Sequence, residues 1–264
     1  MNVTAALSAN IAGISFWSPR LPSWELARAY LRGEAVLLDT PQSRPAPTLL
    51  APAERRRAPD SVAIALEVAA QACRAAQLTA QELTSIFAST HGDLAISDYL
   101  CATLATTPTH ISPTKFHNSV HNAPAGYWTI GTNTHTPYTA ISAHEYTFAA
   151  GLLEAMTQLL CDDRPVLYVA YDIEARGPIA TMAPSVGMFA VALILSTTAA
   201  HSQSRITLQV LSGASQDVAP PSVASPVYGN ALANAVPFFT ALATGARQVD
   251  LPMGRELRLC AELT

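Results

Sequence analysis

Lysine is all but missing from this chain: Lys115 is the only one in 264 residues, charged residues make up 13 %, and the formal net charge is −4. No basic field exists to grip a phosphate backbone or an anionic lipid surface, which excludes nucleic acid as a partner. The single basic run, Arg55-Arg56-Arg57, reads as a solvated or capping face. Cysteine is sparse and scattered. Cys73, Cys101, Cys161 and Cys260 lack the close pairs that zinc or dithiol chemistry uses, so they are expected to be buried thiols, with no metal or cofactor. Apolar runs such as Val186 to Leu195 are too short to span a bilayer. The opening "MNVTAALSAN" has neither the basic flank nor the apolar stretch of a signal peptide, so a cytoplasmic protein without a membrane span is expected. The phosphate-cradling patterns G-x-G-x-x-G and G-x-x-x-x-G-K-[ST] do not occur. Around Ser142, "AISAH" lacks the glycines of a serine-hydrolase elbow.

Half of the residues are apolar, enough for a substantial core. "SANIAGISFW" reads as a first strand turning at Ser18-Pro19, and "SWELARAYLRG" as a helix ending at Gly33. The proline- and arginine-rich stretch from Ala35 to Pro59 reads as a surface loop. "DSVAIALEVAAQACRAAQL" is apolar nearly all round, as befits an internal helix. "TSIFAST" is a short strand, and "DLAISDYLCATLAT" a helix stopped by Pro108. A loop then leads to a strand at Tyr138 to Ser142 and a helix from about Ala143 to Leu160. On that helix Phe148, Leu152, Met156 and Leu159 share a face, and Ala149, Ala150 and Gly151 allow a neighbouring backbone to come close.

"PVLYVAYD" and "VGMFAVALILS" are continuous apolar runs suited to strands covered on both faces, whereas the alternating "RITLQVL" suits an edge. The order of elements predicts a layered α/β domain with a largely parallel sheet. Further on, "GASQDVAPPSVASP" reads as a linker, "NALANAVPFFTALATG" as a helix and "RELRLCAEL" as a closing strand.

One segment carries a resemblance. "ISP" at Ile111 to Pro113, "NAPAG" at Asn122 to Gly126, Thr129-Ile130 and Pro137 opening a strand are spaced as in the β-ketoacyl synthases, which condense acyl thioesters. The resemblance implies a truncated thiolase-like α/β fold, mainly the N-terminal half-repeat, with a mixed central sheet and helices on both faces. Its boundaries would be 1-213 for the ketosynthase-like half and 214-264 for a linker and a remnant of the second half.

At that spacing the active-site cysteine of the synthases falls on Glu145; a second frame, which matches the family's Thr-Ala-Cys to Thr139-Ala140-Ile141, needs a gap, and it too places no cysteine there. A thiolate at a helix N-terminus attacks thioesters; a carboxylate there is a poor nucleophile. Ser142-Ala143-His144-Glu145 also fits the S-x-x-E capping box, an alternative reading of the same glutamate. Of the second-half histidines, the only echo is Gly229-Asn230, with asparagine in place of histidine.

A cysteine-free relative of this kind resembles the chain-length factors, most of all the short type of aryl polyene and related pigment pathways, through "FHNSVHNAPAGYW" and "FAAGLLEA". The resemblance implies a heterodimer with an active ketosynthase, sheets joined edge to edge, and an acyl carrier protein engaged only indirectly. The loop Pro113 to Asn122 would reach the partner's acyl channel, with Lys115, Phe116 and His117 at its tip and Asn118, His121 and Asn122 behind it. Three other readings compete: a malonyl carrier-protein decarboxylase using Glu145, a homodimeric thiolase-like scaffold, and a zinc site on His117 and His121, four residues apart.

Overall fold

A computed structural model describes residues 6–200, 202–213 and 225–264; the greater part of the expected linker, 214–224, lies outside the described residues. Strand β1 (Leu7–Trp17) ends in a tight turn closed by reciprocal backbone bonds between Ser18 and Leu21. Helix α1 (Trp24–Leu31) begins at Ser23, whose hydroxyl accepts from Leu26 N–H, and stops just before Gly33, which takes the left-handed conformation that glycine adopts freely. The stretch read as a bare loop holds one short helix, α2 (Pro52–Arg57), with Arg55, Arg56 and Arg57 in its last turn, where cations suit the helix dipole. Then come α3 (Asp60–Ala76), β2 (Thr84–Ala88), and α4 (Leu94–Thr106), capped by Asp93.

The segment before the next strand is not a loop either. It forms α5 (Pro113–His117) and α6 (Ala123–Thr132), each opened by a proline in its first turn, where no intrahelical N–H is needed. β3 (Tyr138–Ile141) leads into α7 (Thr147–Asp162), followed by β4 (Val166–Asp172), β5 (Phe189–Ser196) and β6 (Ser204–Ser212). The chain closes with α8 (Val236–Thr244), β7 (Gln248–Pro252) and β8 (Leu257–Leu263); β7 has no counterpart in the sequence reading.

The eight strands form one mixed sheet in the order β3-β2-β4-β5-β1-β6-β8-β7. Only β2 pairs in parallel, with β3 and β4; β1 with β5 and β6, β4 with β5, and β8 with β6 and β7 are antiparallel. The expectation of a largely parallel sheet is therefore corrected: continuous apolar runs report cover on both faces, and cover does not require parallel neighbours. β6 is likewise no edge, since it lies between β1 and β8; its alternation reflects one covered face and one open face.

Two cores lie on the two faces. On β4, Val166, Tyr168 and Ala170 face the core beneath α7, α1 and α8, while Leu167, Val169 and Tyr171 face the core under α3 and α6. β5 alternates in the same way, Phe189, Val191 and Leu193 against Ala190, Ala192 and Ile194. α3 is internal as expected, and it lies so close to β1 that a Cβ on Gly13 would collide with the Ala72 carbonyl oxygen. On α7, Phe148, Leu152, Met156 and Leu159 are all buried. Gly151 does admit a close neighbour, but it is a ring and not a backbone: its Cβ would stand 2.7 Å from Tyr168, whose hydroxyl donates to the Phe148 carbonyl at 2.7 Å. Among the described residues no helix is long and apolar enough to cross a membrane.

Candidate functional site

Because β2, β3 and β4 run parallel, their C-terminal ends meet at one end of the sheet, and three connections emerge there together. From β3 the chain passes through Ser142 and Ala143 to His144, which takes the left-handed conformation, rare for a residue with a side chain. A 3₁₀ turn, His144–Tyr146, follows, and the α-helix starts only at Thr147. That extra turn abolishes the expected capping box. No side chain caps either the turn or the helix; the Thr147 hydroxyl ties the junction together instead, accepting from Ala143 N–H at 3.0 Å and donating to the His144 carbonyl at 2.6 Å. Ser142 donates instead to the Thr90 carbonyl at 3.0 Å.

Glu145 is exposed on this turn. The Tyr146 hydroxyl bonds its carboxylate, which raises the Tyr146 pKa, and the Asn234 side-chain amide bonds the Glu145 carbonyl. The buried thiols offer no substitute nucleophile. Burial pushes the pKa values of Cys73 and Cys260 up to about 12 and about 11, so neither supplies thiolate at neutral pH. Cys101, on α4, and Cys161, at the far end of α7, are exposed and not buried as expected, because each falls on an outward helix face.

The α5–α6 segment is tied down at most of the residues singled out from the sequence. Tyr99 of α4 anchors its start: the hydroxyl accepts from Ser112 N–H at 3.1 Å, and the ring lies 3.6 Å under the Lys115 ammonium, a cation–π contact. Phe116 points outward, 65 % exposed, so it is no core residue. His117 packs edge-on against Tyr127, with ring centroids 6.3 Å apart. Asn118 is buried and donates to the Arg57 carbonyl at 3.3 Å. His121 Nε2 lies 2.9 Å from the Ser89 carbonyl, which can only accept, so this nitrogen carries the proton. Asn122 donates to the Tyr138 hydroxyl at 3.1 Å. Since α5 ends at His117, the two histidines do not share a helical face and engage different partners. Among the described residues no group of three or more His, Cys, Asp or Glu is arranged to hold a metal ion.

One residue at the heart of this end escaped the sequence reading. Asp172, the last residue of β4, is 1 % exposed. Its carboxylate accepts from the Ser89 hydroxyl at 2.7 Å. It also accepts from Thr90 N–H at 3.0 Å and from His91 N–H at 3.2 Å. Burial disfavours the charged form and raises the Asp172 pKa. The signal was present, since an acid ending an apolar run must find partners if the run is buried. Asn230, the echo of a family histidine, turns out to be structural: its amide donates to the Val186 carbonyl at 3.0 Å and the Asp172 carbonyl at 3.2 Å, and its oxygen accepts from Leu232 N–H at 3.0 Å. Those bonds use the side chain's donors within the fold, leaving none for a substrate.

No curated protein matches the chain by sequence. Among solved structures it is similar to a chain of the ketosynthase ApeO in complex with its chain length factor ApeC from Xenorhabdus doucetiae, at 23 % identity and a TM-score of 0.75, with 97 % of this chain and 99 % of that one covered. A chain of the ishigamide ketosynthase/chain length factor follows at 14 % identity and TM-score 0.72, covering 97 % and 99 %. A β-ketoacyl synthase from Burkholderia phymatum is longer: at 13 % identity and TM-score 0.61, 81 % of this chain covers 66 % of it. These likenesses establish a shared thiolase-like fold. Residues 32–257 match the family model described as beta-ketoacyl synthase, N-terminal domain, and the chain belongs to that family.

Proposed function

We propose that the chain is a chain-length-factor-like subunit, without condensing activity of its own, that pairs with an active β-ketoacyl synthase and shapes its acyl channel in polyene, polyketide or fatty-acid-like biosynthesis. The observation that carries this reading is Glu145: where the family's spacing puts the nucleophilic cysteine, an exposed carboxylate sits on a 3₁₀ turn. A carboxylate so placed does not accept an acyl group from a thioester under ordinary conditions. Recognition is the task left to the scaffold.

Three features support a partner at this end. β3 is the outermost strand, and its second edge pairs with no described strand, leaving main-chain groups free to extend the sheet. Between Asp98 and Glu145 the only formally charged residue is Lys115, the charge depletion typical of interface cores. Phe116, Val120, Ile130 and Tyr138 expose apolar surface along the same segment. On this reading Lys115, Phe116, His117, Asn118, His121 and Asn122 form the segment crossing toward the partner's channel. The carrier protein meets the pair mainly through the synthase. Residues 214–264 are the remnant of the family's second half, reduced to a linker and the elements that finish the sheet.

Co-expression with a full-length ketosynthase from the same gene cluster tests the proposal. A stable one-to-one complex is expected on size exclusion, burying an area of roughly 2,000 Å² or more, as obligate pairs do. Recovery of the two chains as separate species, each folded, would refute it.

A further inference from the structure

We propose that Asp172 is a positioning residue: its buried carboxylate shapes the Ser89–Gly92 turn, and that one turn fixes both the α5–α6 segment, through His121, and the β3–α7 junction, through Ser142. The two surfaces would then move as one unit. That the unit faces a synthase rests on the function proposed above; the coupling itself does not.

The turn has few reasons of its own to hold this shape. Three of its groups, Ser89 Oγ, Thr90 N–H and His91 N–H, point at the Asp172 carboxylate, and Ser89 Oγ in turn accepts from Gly92 N–H at 2.8 Å. So oriented, the turn presents its outward carbonyls in opposite service: Ser89 C=O receives His121 Nε2–H at 2.9 Å, and Thr90 C=O receives the Ser142 hydroxyl at 3.0 Å. Ser89 N–H also reaches the Ile141 carbonyl at the end of β3, at 3.2 Å. Gly92 completes the fit. Its φ is +65°, and a Cβ there would stand 3.4 Å from the His121 ring.

Nothing in the sheet requires an acid at this position. Asp172 pairs across to Phe189, and the only side-chain polar groups among its neighbours on β4, the hydroxyls of Tyr168 and Tyr171, donate to the Phe148 and His121 carbonyls, so the bonds that offset the burial of its carboxylate come from the turn it organises. Asn230 holds the same residue from behind by its main chain.

Hydrogen exchange on the full chain, with and without a co-expressed ketosynthase, tests this. Asp172→Asn keeps size and one acceptor but deprives the Ser89 hydroxyl of its carboxylate. It is expected to speed exchange in 113–122 and 142–147 together by about tenfold, the scale of one charge-assisted bond lost. His121→Ala is expected to loosen only the first segment and Ser142→Ala only the second. If Asp172→Asn leaves both segments unchanged, or speeds exchange equally along the β4–β5 ladder, the positioning role is overturned in favour of a purely structural one. If both segments loosen while affinity for the synthase is unchanged, the coupling stands and the partner assignment of these surfaces falls.

Discussion

Phe148→Ala is expected to destabilise the isolated chain by about 3–5 kcal/mol, a large part of the roughly 5–15 kcal/mol that holds a typical domain. Phe148 lies in the first turn of α7, 1 % exposed, and its ring meets Tyr168 at 5.7 Å, Phe238 at 5.6 Å and Phe239 at 6.1 Å. Those neighbours come from β4 and α8, so no single element can shift to fill the hole. The Phe148 carbonyl also receives the buried Tyr168 hydroxyl, so slackening here reaches the backbone just after Glu145. Chemical denaturation reads the loss as a lowered midpoint at unchanged slope. Phe116→Ala is the contrast, because that ring is exposed. Its removal should change stability by less than about 0.5 kcal/mol, as is usual for surface substitutions. The product profile of the complex should change, however, if the side chain meets the acyl channel.

The second large effect is expected at the sheet edge. Pro137 and Ile141 carbonyls accept from Ser85 and Ser89 of the β2 side, so odd-numbered residues of β3 face β2 and the main chain of Tyr138 and Ala140 faces outward. Proline is tolerated where a strand's N–H faces away from its ladder, so Ala140→Pro should leave the isolated chain folded. It would remove an outward donor and stiffen the edge just where a second sheet would add. A loss of about a hundredfold in affinity for the synthase is expected, from the missing bond and the steric misfit together. Titration calorimetry or interferometry with the purified partner gives the number. A folded Ala140→Pro chain binding as tightly as wild type would move the interface away from β3.

The residue patterns foretold the elements better than their arrangement. Phe148, Leu152, Met156 and Leu159 recur at helical spacing and are all buried, because a repeat of 3.6 leaves few alternatives. β4 and β5 were legible as covered strands for the same reason, yet nothing in "PVLYVAYD" encodes the direction of its neighbours, and the sheet proved mixed, with antiparallel pairs in the majority. The capping box at Ser142–Glu145 failed on one backbone angle, the left-handed His144, which a string of residue types does not display. The family frame drew attention to Glu145 and the α5–α6 segment. It did not find Asp172 or the Ser89–Gly92 turn, since those contacts join residues more than eighty positions apart.

The most direct test of a recognition role is intact-mass spectrometry after exposure to an acyl thioester donor and malonyl carrier protein, with the chain alone and in the complex. The expected result is an unmodified mass for this chain in both, with acyl groups and their elongated products attached to the synthase. An acyl adduct on the isolated chain, extended when malonyl donor is added, would contradict a non-condensing subunit outright.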